Sequence, residues 1–142
     1  MTKDSLFQLI HTSELVNSHT VIKFMKTFNR NISISQIIVL HELKENGPQM
    51  PSRLAKTLGY TSGALTNIMD KLITSEYIVR YASNADRRTS YCKITEQGLE
   101  ILRDAQECGA KIHEEVYNVL EDSEIKQLND IQEKLLKHLK DN

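Results

Sequence analysis

Apolar residues near the start of the chain recur at helical spacing: Leu6, Leu9, Ile10, Val16, Phe24, Met25 and Phe28. The pattern predicts one long helix over residues 5–28. A polar run, Asn17-Ser18-His19-Thr20, interrupts the stripe. A long helix with a broken apolar face commonly packs against a partner chain. The next segment opens with Ser33 and carries Gln36 three residues on, the pattern of a capping box. Ile37, Leu40 and Leu43 continue this short helix, and Gly47-Pro48 stops it.

Pro51 suits the first turn of a third helix, where its missing N–H would be unpaired anyway. That helix reaches Leu58; it buries Leu54, Ala55 and Leu58, exposes Arg53, Lys56 and Thr57, and ends at Gly59. Thr61 or Ser62 then caps a fourth helix, whose Leu65, Ile68, Met69, Leu72 and Ile73 form one apolar face. The opposite face carries Ser62, Thr66, Asn67, Asp70 and Lys71. Two short helices joined by a tight glycine turn make a helix-turn-helix. Small hydrogen-bonding side chains near the start of the second helix can reach base edges in a major groove.

Two strand-like runs follow, Tyr77–Ala82 and Ser90–Ile94, separated by a polar turn tipped with Asp86-Arg87-Arg88. A hairpin directly after a helix-turn-helix is the order of a winged helix. An arginine-bearing tip suits a narrow minor groove and its flanking phosphates. Thr95 can cap a further helix running to about Leu120, with the stripe Leu99, Leu102, Ala105, Gly109, Ile112, Val116 and Leu120. Asp122 or Ser123 caps a last helix whose Ile125, Leu128, Ile131, Leu135 and Leu139 again share a face.

Composition adjusts this reading at one point. The chain has 142 residues and a formal charge of −1, a weak argument against nucleic acid if taken whole. The charge is unevenly spread. Residues 47–93 carry +4, with 7 basic and 3 acidic side chains, whereas residues 94–142 carry −6. The positive segment is the one that holds the helix-turn-helix and hairpin. The longest aliphatic run, Ile37-Ile38-Val39-Leu40, is far short of the ~20 residues of a membrane helix. No secretory leader is evident at the start. Cys92 and Cys108 form no CxxC, which excludes a zinc finger or disulfide framework and fits a cytoplasmic protein. No metal site or cofactor is expected. The sequence pairs no nucleophile with a base and has no phosphate-cradling glycine loop, so an enzyme is not expected.

Several runs together resemble the MarR family of winged-helix regulators: Leu58-Gly59, Gly63-Ala64-Leu65-Thr66, Met69-Asp70-Lys71-Leu72, Asp86-Arg87-Arg88, and Lys93-Ile94-Thr95-Glu96-Gln97-Gly98. Ser33 to Leu43 resembles the second helix of that family. The Asp-x-Arg of the wing followed by Ile-Thr-x-x-Gly is the most specific part. The resemblance spans nearly the whole chain.

The resemblance implies a mainly α fold with one small β-hairpin in a single MarR-type domain, 1–142. Residues 33–94 would form the winged helix-turn-helix lobe, and residues 5–30 and 95–142 would be dimerisation helices. It further implies a homodimeric, ligand-responsive regulator of transcription, most often a repressor, on pseudopalindromic double-stranded DNA. Thr61, Ser62, Gly63, Thr66, Asn67 and Lys71 would lie on the recognition helix, with Gly63 allowing close approach. Arg88 would enter the minor groove, oriented by a charge-assisted bond from Asp86, and Arg87 would contact phosphate. Arg53, Lys56 and Lys71 are phosphate-contact candidates. Many relatives carry a basic residue where this chain has Asn67, which suggests either weaker phosphate affinity or an amide reading adenine. A winged-helix adaptor that binds only protein is the competing reading, and the intact Asp86-Arg87-Arg88 tip argues against it.

The family often senses phenolic or other aromatic anions, oxidants or metals. Residues 1–46 hold no cysteine for oxidant sensing, and the five histidines form no His-x-x-x-His pair. Cys92 alternates with Ile94 and reads as a small core residue. These residues support none of the three modes strongly; an aromatic or phenolic effector is a partner that the resemblance implies, besides DNA and a second copy.

Overall fold

The computed structural model describes residues 1–83, 85, 86 and 88–141. Its elements in chain order are α1 (Lys3–Thr27), α2 (Ile34–Asn46), α3 (Pro51–Leu58), α4 (Ser62–Thr74), β1 (Ile78–Ala82), β2 (Ser90–Ile94), α5 (Glu96–Tyr117) and α6 (Asp122–Lys140). The fold is the expected mainly helical one with a single antiparallel hairpin.

The chain divides into two compact units, Met1–Phe24 with Gly109–Asn142, and Met25–Cys108. The second unit holds the helix-turn-helix and wing. Its core is built on Val39, Leu40, Leu43, Leu54, Leu65, Met69, Leu72, Ile78 and Leu102, all essentially inaccessible to solvent. Leu65, Met69 and Leu72 are the inner face of α4, as its periodicity requires; Ile68 and Ile73 flank it half-buried. Leu58 is likewise only half-buried, where the α3 stripe led us to expect full burial.

The local signals act as their chemistry dictates. The Ser33 hydroxyl accepts from the Gln36 N–H at 3.2 Å, while the Ser33 N–H donates to Gln36 Oε1 at 2.7 Å. This reciprocal box fixes the start of α2. Gly59 ends α3 in the left-handed conformation, φ +73°. Thr61 proves to be the cap of α4, its hydroxyl accepting from the Ala64 N–H at 3.2 Å.

Strands β1 and β2 pair in the register Ile78↔Ile94, Val79↔Lys93, Arg80↔Cys92, Tyr81↔Tyr91 and Ala82↔Ser90. Two connections at the root of the hairpin were not foreseen. Gln49 forms a one-residue bridge with Cys92, donating N–H to its carbonyl at 3.1 Å and accepting in return at 2.8 Å. The turn from α4 into β1 is a Schellman-type closure without glycine. The Tyr77 N–H reaches the Leu72 carbonyl at 2.9 Å and Glu76 takes φ 64°.

The step from wing to α5 explains the Ile-Thr-x-x-Gly run. The Thr95 hydroxyl donates to the Glu76 carbonyl at 2.7 Å and accepts from the Gly98 N–H at 3.0 Å. The Thr95 N–H also donates to the Tyr77 carbonyl at 3.0 Å. A Cβ on Gly98 would strike that same carbonyl and lie 2.7 Å from Ile94 Cγ1. Glycine there is a packing requirement.

In the first unit, Ile112 and Phe24 are buried, and Lys23 pairs with Glu115 at 2.5 Å. Two boundaries differ from expectation. Helix α5 ends at Tyr117 rather than Leu120. The cap of α6 is Glu121, one residue before Asp122, with its N–H held by Glu124 Oε1 at 3.0 Å. A carboxylate three residues on serves the first turn, so neither Asp122 nor Ser123 is needed as cap. The apolar row of α6 is not covered within the chain: Ile131, Leu135 and Leu139 are 56%, 54% and 71% exposed. Among the described residues no helix is long and apolar enough to cross a membrane.

Candidate nucleic-acid interface

The second unit carries a contiguous set of polar and basic side chains with no role in its core. On α4, Ser62, Gly63, Ala64, Thr66, Asn67, Asp70 and Lys71 are all exposed. They are exposed because the other face of the helix is consumed by Leu65, Met69 and Leu72. Thr61, Ser62, Gly63 and Ala64 occupy the cap and first turn, the end of a recognition helix that meets base edges. The Thr66 hydroxyl donates back to the Ser62 carbonyl at 2.8 Å. Nothing lies within 4 Å of a Cβ built on Gly63.

On α3, Arg53 and Lys56 are exposed while Leu54 and Ala55 face inward. Among the described residues, Arg53, Lys56, Lys71, Arg80 and Arg88 pair with no carboxylate. They belong to residues 47–93, whose 7 basic and 3 acidic side chains leave a net +4, a field attractive to phosphate.

The wing tip is organised by Asp86. Its carboxylate accepts from the Arg88 N–H at 2.9 Å and from the Thr89 hydroxyl at 3.2 Å. The Ser83 N–H to Thr89 carbonyl bond, 2.9 Å, closes the loop below. Asp86 thus places Arg88 through its main chain, whereas the expected contact was with the side chain. The exposed Arg88 guanidinium stays available. Arg87, expected to contact phosphate, lies outside the described residues.

Arg80 was not singled out from sequence, although its strand position held the clue. It alternates with the buried Ile78 and sits opposite Cys92. Its positive charge lies across the strand pair from the Cys92 thiol. Burial pushes that thiol above its usual range, and Arg80 only partly offsets it. Cys92 is therefore a neutral core thiol lying opposite the exposed Arg80 in the hairpin.

His41 and His113 each have a neighbour within hydrogen-bond distance. His41 Nδ1 lies 3.2 Å from Gln106 Nε2, and His113 Nδ1 lies 2.7 Å from the Gly109 carbonyl. Among the described residues no group of three His, Cys, Asp or Glu side chains is placed to hold a metal.

Comparison with known proteins agrees with this geometry. A family model described as the MarR family matches residues 32–90. The chain is 29% identical over 125 residues to the HTH-type transcriptional regulator MhqR of Bacillus subtilis, covering 88% of this chain and 86% of that one. It is 30% identical over 107 residues to the multiple antibiotic resistance protein MarR of Salmonella typhimurium, covering 75% and 74%. A crystal structure of mutant MarR from E. coli complexed with operator DNA superposes with a TM-score of 0.83 at 24% identity, over 94% of this chain and 96% of that one. The chain belongs to the MarR family of transcriptional regulators.

Proposed function

We propose that this regulator is a sequence-specific DNA-binding repressor that works as a homodimer in the cytoplasm and releases its site when a small effector binds. The observation that carries the reading is the pairing, on one compact unit, of an outward polar α4 face with a wing whose Asp86 anchors an exposed Arg88. The E. coli relative crystallised on operator DNA shares this fold. Residues 61–71 of α4 and its cap would enter a major groove, Arg88 the adjacent minor groove, and Arg53 and Lys56 would lie against phosphates.

Dimerisation is supported by the apolar rows of α1 and α6. Phe7, Leu9, Ile131, Leu135 and Leu139 are all more than half exposed, an unusual density for a chain that acts alone. A two-fold pair reads half-sites about one DNA turn apart. The effector reading is supported by a cleft of about 560 Å³ lined by Met25, Arg30, Gln36, Lys71 and Thr74. Asp70 also lines the cleft and Arg30 is paired with Asp104, so among the described residues the lining cation without an ion-pair partner is Lys71, which would meet an anionic effector beside the apolar Met25 and links the cleft to α4.

The test is selection of duplexes bound by the purified protein from a random pool. The reading predicts enrichment of an inverted repeat whose binding weakens steeply with salt. Recovery of unrelated sequences with no common repeat would overturn it.

A further inference from the structure

We infer that Asn67, together with Ala64 and Thr66, reads an A·T base pair in the major groove. The inference rests on the DNA-binding reading above and names the base pair recognised at one position of each half-site.

The exposed face of α4 offers few groups that can read a base. Thr66 has committed its hydroxyl proton to the Ser62 carbonyl at 2.8 Å, so the group it presents freely is its γ-methyl. Thr61 spends its hydroxyl as the helix cap, accepting from Ala64. Asn67 differs. It is exposed, and among the described residues its amide has no hydrogen-bond partner. The carboxamide offers one acceptor and two donors side by side.

The space in front of Asn67 is also open. Helical side chains lean toward the N-terminus, over the residue four positions earlier. For Asn67 that residue is Gly63, and nothing lies within 4 Å of a Cβ placed there. The surface on the Gly63 side of the amide is therefore open.

Chemistry then selects the base. Adenine shows an acceptor, N7, beside a donor, the N6 amine, and a carboxamide meets both at once. Guanine shows two acceptors there, so the amide oxygen would face O6 or N7 and repel it. The thymine partner adds a methyl group. Ala64, three residues before Asn67 and exposed, and the Thr66 methyl supply apolar contacts of the kind that recognise it.

The experiment measures wild-type and Asn67→Ala binding to the selected duplex, to variants with each half-site base pair changed in turn, and to duplexes carrying 7-deazaadenine or uracil. The wild type should prefer A·T at one position by about 5- to 100-fold, the range for one bidentate contact. It should lose most of that preference when 7-deazaadenine removes N7, and a smaller part when uracil removes the methyl. Asn67→Ala should lose the preference at that position alone, with an unchanged salt slope and unchanged circular dichroism. An Asn67→Ala protein that keeps the full preference, or that weakens equally on every sequence with a shallower salt slope, would overturn the inference. A wild type with no sequence preference would instead overturn the DNA-binding reading beneath it.

Discussion

At the scale of single residues, the wing rests on a division of labour between Asp86 and Arg88. Asp86 holds the Arg88 main chain and the Thr89 hydroxyl, leaving the guanidinium exposed, and the proposed role of that guanidinium is contact with DNA. Arg88→Ala should therefore weaken specific binding by about 1–3 kcal/mol, roughly 5- to 150-fold, without changing the melting temperature. Asp86→Ala should weaken it less, and adding it to Arg88→Ala should cost little more, because both act through one contact. A binding-energy cycle over the three variants checks this; additive losses would show that Asp86 acts elsewhere. The Asp-x-Arg spacing was legible in the sequence, but its main-chain geometry was not, because spacing does not say which atom of Arg88 a carboxylate meets. Arg80 was missed for a related reason. Only the pairing register shows that it lies against Cys92 on the face of the hairpin that begins with Ile78.

At the scale of elements, the sequence was legible wherever a residue type has one physical use. Ser33 with Gln36, Pro51 and Gly59 each mark a helix end, and each does so in the structure. The Gln49–Cys92 bridge was not legible, since a strand of one residue has no periodicity. Nor was the left-handed Glu76, because glycine is the usual signal there. Two glycines separate packing from access. Gly98→Ala should destabilise the fold by about 1–3 kcal/mol, because the new methyl meets the Tyr77 carbonyl. Gly63→Ala should leave stability unchanged or raise it by up to about 1 kcal/mol, since its surroundings are open and alanine favours helix. Urea denaturation measures both; equal effects would contradict the distinction.

At the scale of the whole molecule, the averaged charge of −1 conceals a basic helix-turn-helix and hairpin segment and an acidic C-terminal third. The helical stripes of α1 and α6 were legible, yet a stripe does not say whether its cover lies in the same chain. Here much of it stays exposed: Ile131, Leu135 and Leu139 line the outside of α6. Burying those rows against a second copy should make the protein a dimer at micromolar concentration. Sedimentation should then give about twice the 16.3 kDa chain mass. Leu135→Arg with Leu139→Arg should shift it toward monomer, because burying two unpaired cations is costly. A wild type that sediments as a single chain would remove the shared base from the account.

The most direct test is a fluorescence-anisotropy titration of the selected inverted-repeat duplex, set beside a scrambled duplex at the same salt. The account predicts saturation at two chains per duplex and binding at least about 10³-fold tighter than to the scrambled sequence. Equal affinity for the two duplexes, or saturation at one chain per duplex, would contradict it.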